Sequence, residues 1–223
     1  MSTSKARSSG RINWIENSLF AHELRTIVGV DEAGRGACAG PLVVAAVALD
    51  EERLEVIQSS MSEMFDGWGS LDSKAMNEND RERIFSRLEQ KVLAVEVIIV
   101  NSDEIDRHGL QQMNESAMRR AISQISLPID YAITDGYAID GLEMPSLAVW
   151  KGDAVSMAVG AASIIAKVTR DRIMVEWDQR HPEYGFARHK GYSAKAHMKA
   201  IEELGLLPIH RRSYSNIAAF LGS

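Results

Sequence analysis

Two adjacent carboxylates, Asp31 and Glu32, end a short apolar run at 26–30, and a glycine-rich turn carrying Arg35 follows at once. A strand end that presents acids beside closely approachable backbone is suited to holding a divalent metal ion against a phosphate. Neighbouring strand residues point to opposite faces, so we expect one of the two acids to lie where the strand breaks into the turn. An acidic pair is also common in solvated turns, and the acids further along the chain therefore decide the interpretation.

Two more acids occupy similar places. Asp135 follows a predicted strand at 131–134, and Asp153 opens a predicted long helix at 154–180. If the strands lie side by side, the carboxylates converge at one end of the sheet, where open α/β sheets bind ligands. Oxygen ligands without a cysteine or a paired histidine suit Mg²⁺ or Mn²⁺. Two such ions roughly 3.5–4 Å apart can hold the attacking and leaving oxygens of a phosphodiester.

Each acid also has a structural interpretation. Asp135 with Gly136 is a common turn pair, and Asp153 is well placed as an N-cap for the long helix. Capping and metal binding are compatible, because a carboxylate has two oxygens. Asp72 is expected to be a loop acid, and Asp171, between two arginines of the long helix, is expected to be an ion-pair partner.

Strands that alternate with helices must position these acids. The run at 42–49 is apolar throughout, as expected for a strand covered on both faces. Such interleaving indicates a layered α/β domain. The predicted strands are 26–30, 42–49, 92–100, 131–134 and 146–150; the predicted helices are 77–91, 110–125, 154–180 and 194–204, with a loop at 182–192.

The chain has 223 residues, 45% of them hydrophobic, which fits one domain at 25–223 after a flexible N-terminal extension at 1–24. No run of 18 uninterrupted apolar residues predicts a membrane span, and the first residues do not resemble a secretory signal. Cys38 is the only cysteine, which excludes an internal disulfide and a multi-cysteine zinc site. A reducing, cytoplasmic location is expected, with Cys38 as a small loop filler.

The charge is unevenly distributed. The net charge of −6 counts against a nucleic-acid partner, but residues 165–223 carry 10 Lys and Arg against 6 Asp and Glu. A basic C-terminal region can follow a phosphate backbone while the acidic remainder binds cations. Ordinary solvated helix faces explain the same distribution.

Several sequence motifs, taken in their order along the chain, resemble the motifs of one protein family. The chain contains Gly-Val-Asp-Glu-Ala-Gly-Arg-Gly, Leu-Asp-Ser-Lys, Thr-Asp-Gly, Lys-Gly-Asp, Ala-Ala-Ser-Ile-Ile-Ala-Lys-Val-Thr-Arg-Asp and Tyr-Gly-Phe-Ala-Arg-His-Lys-Gly-Tyr. Together they resemble bacterial ribonuclease HII, from about residue 27 to residue 214. The resemblance implies a ribonuclease H-like α/β fold, with a mixed five-stranded sheet flanked by helices and a helical C-terminal region. It also implies an endonuclease that uses Mn²⁺ or Mg²⁺, cuts the RNA strand of RNA/DNA hybrids and incises 5′ to single ribonucleotides in duplex DNA.

The resemblance also assigns residues. It implies that the catalytic and metal-binding carboxylates are Asp31, Glu32, Asp135 and Asp153. It implies that Gly34, Arg35 and Gly36 meet the ribose 2′-hydroxyl and the adjoining phosphate, and that Tyr192 senses the substrate. Only the 2′-hydroxyl distinguishes RNA from DNA at one nucleotide, and glycines permit close backbone approach. Further candidates for phosphate contact are Lys74, Lys167, Arg188 and Lys190.

Two other functions remain open. One is a different nuclease on the same scaffold, such as a junction resolvase or a transposase-type enzyme, and the other is a non-catalytic module that binds hybrids. The Gly-Arg-Gly turn and Tyr192 favour the hybrid nuclease, because a DNA-cutting relative has no 2′-hydroxyl to read. The four acids argue against a pure binder. The expected partners are RNA/DNA hybrid and ribonucleotide-containing duplex DNA, with no membrane and no obligate protein partner, and the chain is expected to be a monomer.

Overall fold

A mixed five-stranded sheet forms the centre of the molecule. The computed structural model describes residues 13–64, 71 and 76–221. The strands, which include all those predicted, lie in the order β3-β2-β1-β4-β5: β1 is antiparallel to β2, β2 is antiparallel to β3, and β1, β4 and β5 are parallel. Their bounds are β1 Ile27–Ala33, β2 Leu42–Leu49, β3 Ala94–Val100, β4 Tyr131–Asp135 and β5 Ser146–Val149.

Helices surround the sheet, and within the described residues none is long and apolar enough to cross a membrane. They are α1 Trp14–Phe20, α2 Glu51–Met64, α3 Glu78–Lys91, α4 Ser102–His108, α5 Leu110–Gln124, α6 Met157–Arg180, α7 Phe186–His189, α8 Lys195–Leu204 and α9 Ser215–Ala218, with 3₁₀ turns at Gly152–Ala154 and Pro182–Tyr184. The predicted N-cap of α3 is confirmed, because the Asn77 side chain accepts a 2.9 Å hydrogen bond from the Asp80 amide.

Strand β2 is covered on both faces, as its unbroken apolar sequence predicts. All eight of its residues are buried. Val43, Ala45 and Val47 face α6 together with α2 and α3, whereas Val44 and Ala46 face α5. Alternate residues of β2 therefore belong to two separate cores, one on each side of the sheet.

Helix α6 lies unusually close to β1 because small residues meet at the contact. A Cβ added to Gly29 would lie 2.1 Å from the carbonyl carbon of Ala158, a separation that no real side chain permits. Ala161 and Ala162 extend this close contact along the buried face of α6. The helix that carries several site residues is thus fixed against the strand that carries the first two acids.

The N-terminal segment differs from the prediction. Residues 14–20, expected to be part of a flexible extension, form α1, and Glu16 within it is fully buried. Its Oε1 accepts hydrogen bonds from the Ser156 hydroxyl at 2.6 Å and from the Ala158 amide at 3.0 Å. The expectation of a flexible extension is therefore wrong for this part of 1–24, because α1 supplies an acceptor to the first turn of α6.

The C-terminal region packs against the loop that leads into β2. Cys38 and Ala39 lie in one apolar cluster with residues of α6, α7, α8 and α9. An isolated β-bridge joins Ala39 to His210, and the Arg211 amide donates to the Cys38 carbonyl at 2.9 Å. Within the predicted loop 182–192 the chain forms a 3₁₀ turn and the short helix α7. The helical C-terminal region thus buttresses the segment that follows the first two acids.

Candidate active site

Asp31 and Glu32 both lie within β1, which continues to Ala33. Their strand partners are Ala45 and Val44. The expectation that one acid sits where the strand breaks is therefore wrong: the strand pairing extends past both, and they point to opposite faces. Asp31 accepts from Ser163 on α6, whereas Glu32 faces α5, where Asn114 Nδ2 is 3.5 Å from Glu32 Oε2.

Asp135 lies beside Asp31 across the parallel β1–β4 pair. The register aligns Val30 with Thr134, so the next residue on each strand is an acid. Asp135 Oδ1 accepts a 2.7 Å hydrogen bond from the Gly152 amide, which ties the end of β4 to the turn after β5. The predicted convergence of strand-end acids is thus present for this pair.

Asp153 occupies the 3₁₀ turn that precedes α6 and is buried. The helix begins at Met157, and its N-cap is Ser156, whose hydroxyl accepts from the Val159 amide at 3.2 Å. The capping role expected for Asp153 is therefore wrong. Its neighbour Gly152 bonds Asp135, so the turn that holds Asp153 is anchored to another of the candidate acids.

The charges of this site repel one another. The pKa of Asp31 is raised well above its ordinary value, first by burial and then by repulsion from Glu32 and Asp135; hydrogen bonds from Ser163 and from the Glu32 amide oppose the rise. A divalent cation would remove this repulsion, and every acid offers oxygen ligands, which fits Mg²⁺ or Mn²⁺. Among the described residues, no three acidic, histidine or cysteine side chains already form a metal-holding group.

A groove of about 230 Å³ runs beside the first two acids. Asp135 and Asp153 are not among its lining residues, and neither are Arg188 and Lys190. Its lining consists of Asp31, Glu32, Ala33, Gly34, Arg35, Gly36, Ser163, Lys167 and Tyr192. The structure therefore brings five of the predicted substrate-binding residues to one groove with two of the predicted acids.

The Gly-Arg-Gly turn needs its first glycine for two reasons. Gly34 has φ +88°, and a Cβ there would lie 1.8 Å from Arg170 Nε. Gly36 is exposed, and a Cβ there would be 3.9 Å from the Tyr192 ring, an ordinary contact. Between them the Arg35 side chain donates to the Tyr137 hydroxyl and, at 2.6 Å, to Gln111 Oε1. The turn thus exposes its backbone at Gly36 while its arginine is held to one side.

Two buried arginines support this turn from inside. Arg170 donates to the carbonyls of Pro41 and Ala39 at 2.9 and 3.1 Å, and Arg211 donates to those of Gly40 and Arg35, each at 3.0 Å. Burial lowers the pKa of Arg170 to about 10 and also lowers that of Arg211. Both guanidinium groups are fully buried and bonded to carbonyls, so they place positive charge beneath the turn.

The remaining basic residues differ in position. Lys167 lines the groove and pairs with Asp171 at 2.7 Å, which confirms Asp171 as an ion-pair partner; burial lowers the pKa of Lys167. Lys190 pairs with Glu78 at 3.3 Å, and Arg188 is exposed on α7. Lys74, like Asp72, lies outside the described residues.

Several contributors to the site were not predicted. Ser163 and Arg170 lie four residues before and three residues after the predicted Lys167, which places all three on one face of α6. Gln111 and Asn114 likewise share a face of α5, and that periodicity could have been read from the sequence. Arg211 gave no such signal, and the burial of Arg170 was not predictable either, since charged side chains are usually expected at the surface.

Comparison with known proteins places this chain in a family. The chain is 45% identical over 216 residues to ribonuclease HII of Salinispora arenicola, covering 97% of this chain and 77% of that protein. It is 46% identical over 211 residues to ribonuclease HII of Mycolicibacterium vanbaalenii, covering 95% and 81%. The ribonuclease H2 structure from Pyrococcus horikoshii superposes with TM-score 0.76 at 29% identity, covering 87% of this chain and 96% of that one. Bst-RNase HIII in complex with Mn²⁺ shares the fold, with TM-score 0.67 at 19% identity, covering 91% and 72%.

The fold and these relatives define a ribonuclease H-type nuclease. The sequence profile of ribonuclease HII matches residues 28–217. The chain therefore belongs to the ribonuclease HII family. It is a hydrolase, a ribonuclease H endonuclease that acts on RNA/DNA hybrids.

Proposed function

We propose that this enzyme, besides cutting the RNA strand of hybrids, incises 5′ to single ribonucleotides in duplex DNA and leaves 5′-phosphate and 3′-hydroxyl ends. One observation carries the proposal. A single groove holds Asp31 and Glu32 next to a turn whose exposed Gly36 faces the Tyr192 ring. Groups for hydrolysis and a surface for reading one ribose are thus adjacent.

The four acids, Asp31, Glu32, Asp135 and Asp153, would hold Mn²⁺ or Mg²⁺. The mutual repulsion at Asp31 supports this assignment, because a cation would relieve it. When bound, such ions activate water and stabilise the leaving oxygen of the phosphodiester. The chain's own contribution is orientation: Ser163 directs Asp31, and the Gly152 amide fixes Asp135 at the end of β4.

The Gly-Arg-Gly turn would read the sugar. The Arg35 carbonyl within the turn and the Ala39 and Gly40 carbonyls of the segment that follows it accept from the two buried arginines, so the turn is fixed before substrate arrives. No side chain projects at Gly36, so a ribose can approach the backbone there, and the half-exposed Tyr192 ring would stack beside it. Arg35 would meet the adjoining phosphate.

Basic residues near the groove would contact the backbone phosphates. Lys167 is the strongest of these candidates because it lines the groove. Arg188 and Lys190 lie on the neighbouring segment that leads to Tyr192, and Lys74 completes the proposed set. The chain would act as a monomer on the nucleic acid alone.

Cleavage of a DNA duplex carrying one ribonucleotide tests the proposal. With Mn²⁺ or Mg²⁺ we expect a single nick on the 5′ side of the ribose and none after chelation of the metal. An all-DNA duplex of the same sequence is the control substrate. Equal cutting of both duplexes would indicate a different nuclease on this scaffold, and tight binding without product would indicate a binding module.

A further inference from the structure

A buried imidazole holds the backbone of Tyr192. His197 on α8 is fully buried, and its Nδ1 lies 2.9 Å from the Tyr192 carbonyl oxygen, which also accepts from the Ala194 amide at 2.8 Å. Its Nε2 lies 3.1 Å from Nε2 of His210, which is buried as well. On the far side, the Leu207 amide is 2.8 Å from His210 Nδ1. Two histidines thus connect the C-terminal region to the substrate-sensing tyrosine.

The direction of this chain of hydrogen bonds follows from its Tyr192 end. The Tyr192 carbonyl can only accept, so His197 Nδ1 carries a proton and donates to it. In the neutral ring His197 Nε2 then accepts, so His210 carries its proton on Nε2 and donates it to His197. His210 Nδ1 is left as an acceptor for the Leu207 amide at 2.8 Å, although the Leu207 carbonyl oxygen also lies 3.1 Å from it. Burial lowers the pKa of both imidazoles to about 4, so each holds a single proton at neutral pH, as this order requires.

The peptide unit before Tyr192, which belongs to Gly191, is also held by hydrogen bonds. The Gly191 carbonyl accepts from the amides of Cys38 and Ala39 at 3.0 and 3.1 Å. Gly191 has φ +80°, and a Cβ there would lie 2.2 Å from the Ala39 carbonyl oxygen. The Tyr192 ring, by contrast, is 42% exposed. Its place opposite Gly36 is therefore set by its backbone contacts together with the Arg170 guanidinium, whose Cζ lies 5.5 Å from the ring centroid.

We propose that His197, oriented by His210, is a positioning residue that sets the Tyr192 ring against the Gly-Arg-Gly turn and thereby governs selectivity for a single ribonucleotide. The proposal rests on the proposed function of Tyr192. His197 also contacts the Phe186 ring at 5.4 Å and stacks on His189 at 4.4 Å. A role in packing alone is therefore the alternative that the experiment must separate.

Two substitutions test the two hydrogen bonds of the His197 side chain separately. His197→Asn places an amide nitrogen near the position of Nδ1 and can still donate to the Tyr192 carbonyl. His197→Gln places its amide near Nε2 and keeps a partner for His210 but loses that donor. We expect His197→Gln to lower kcat/KM about tenfold on duplex DNA with one ribonucleotide and less than threefold on continuous hybrid. His197→Asn should stay within threefold of the unmodified enzyme on both substrates. Thermal denaturation of each variant verifies that it folds.

A double variant tests whether the effect passes through the tyrosine. In a Tyr192→Ala background, His197→Gln should cause no further loss, because coupled residues are not additive. Equal losses for His197→Asn and His197→Gln, or additive losses in the double variant, would overturn the positioning role while the proposed function stands.

Nitrogen-15 NMR of the histidine side chains gives a measurement that needs no cleavage. Protonation of His197 at Nδ1 and of His210 at Nε2 supports the inferred order of donors, and the opposite tautomers would overturn it. If the unmodified enzyme cut hybrid but not the single-ribonucleotide duplex, the proposed function would fail. The NMR measurement would still show whether the inferred order of donors from His210 to the Tyr192 carbonyl is correct.

Discussion

The carboxylate of Glu16 accepts a 2.6 Å hydrogen bond from the Ser156 hydroxyl, although 140 residues separate the two in sequence. The same oxygen accepts from the Ala158 amide in the first turn of α6. Burial raises the pKa of Glu16, and its second carboxyl oxygen has no partner among the described residues. The short helix α1 is therefore part of the framework that holds α6 in place.

Loss of the Glu16 acceptor should destabilise the fold. We expect Glu16→Ala to lower the free energy of unfolding by about 1–3 kcal/mol, because two buried donors lose their partner. Glu16→Gln keeps an acceptor without the charge and should lose less than half as much. Because the pKa of Glu16 is raised by folding, its contribution falls as pH rises from about 4.5 through the folded pKa. Urea denaturation between pH 4 and 8 should show this slope in the unmodified protein and not in Glu16→Gln.

Removal of the Asp135 charge should abolish activity and at the same time raise the stability of the metal-free protein. We expect Asp135→Asn to abolish turnover, to leave hybrid affinity largely intact and to raise the stability of the metal-free protein by about 1 kcal/mol, because Asp31 then has one fewer negative neighbour. Asp103→Asn, which alters an exposed acid on α4, is the matched control. Near-normal turnover of Asp135→Asn would show that this carboxylate is not a ligand.

The two glycines of the turn should respond differently to alanine. Gly34→Ala requires a positive φ and a Cβ 1.8 Å from Arg170 Nε, so we expect a loss of stability of about 1–3 kcal/mol together with a loss of activity. Gly36→Ala meets only an ordinary contact with the Tyr192 ring and should change stability by less than about 0.5 kcal/mol. Its KM for a ribonucleotide substrate should nevertheless rise at least tenfold, because the methyl group would occupy the surface proposed to face the ribose. Equal KM values for Gly36→Ala and the unmodified enzyme would exclude Gly36 from the sugar-reading surface.

Acidification should lower the stability of the folded protein, because the two buried histidines of the C-terminal region become protonated. Folding lowers the pKa of His197 and His210 from 6.5 to about 4, so their contribution to stability is complete above pH 6.5 and is lost as pH falls toward 4. We expect a loss on the order of 3–5 kcal/mol over this range, since each pKa moves by about 2.5 units and one unit corresponds to about 1.4 kcal/mol. His210→Gln should flatten this dependence, and His108→Asn, at an exposed position on α4, should not. A stability that stays constant between pH 6.5 and 4 would contradict the prediction.

The secondary structure was largely predictable because its signals are local. The apolar run of β2 reads as a doubly covered strand from composition alone, and Asn77 before α3 is a recognisable cap. The prediction was wrong at α1, because its few buried residues are stabilised by contact with α6 and not by its own sequence. It was wrong at the start of α6 as well, where Asp153 and Ser156 are both acceptable caps and only the path of the chain after Gly152 selects Ser156.

The candidate carboxylates and the glycines of the turn could be found in the amino-acid sequence, because apolar runs, turn glycines and acids are visible without any partner. That Asp31 and Glu32 face opposite sides of β1, that Arg170 and Arg211 lie buried beneath the turn, and that His197 contacts the Tyr192 carbonyl became visible only in the folded chain. Burial, repulsion between acids and hydrogen bonds across 131 to 176 residues depend on distances that arise only when the layers pack.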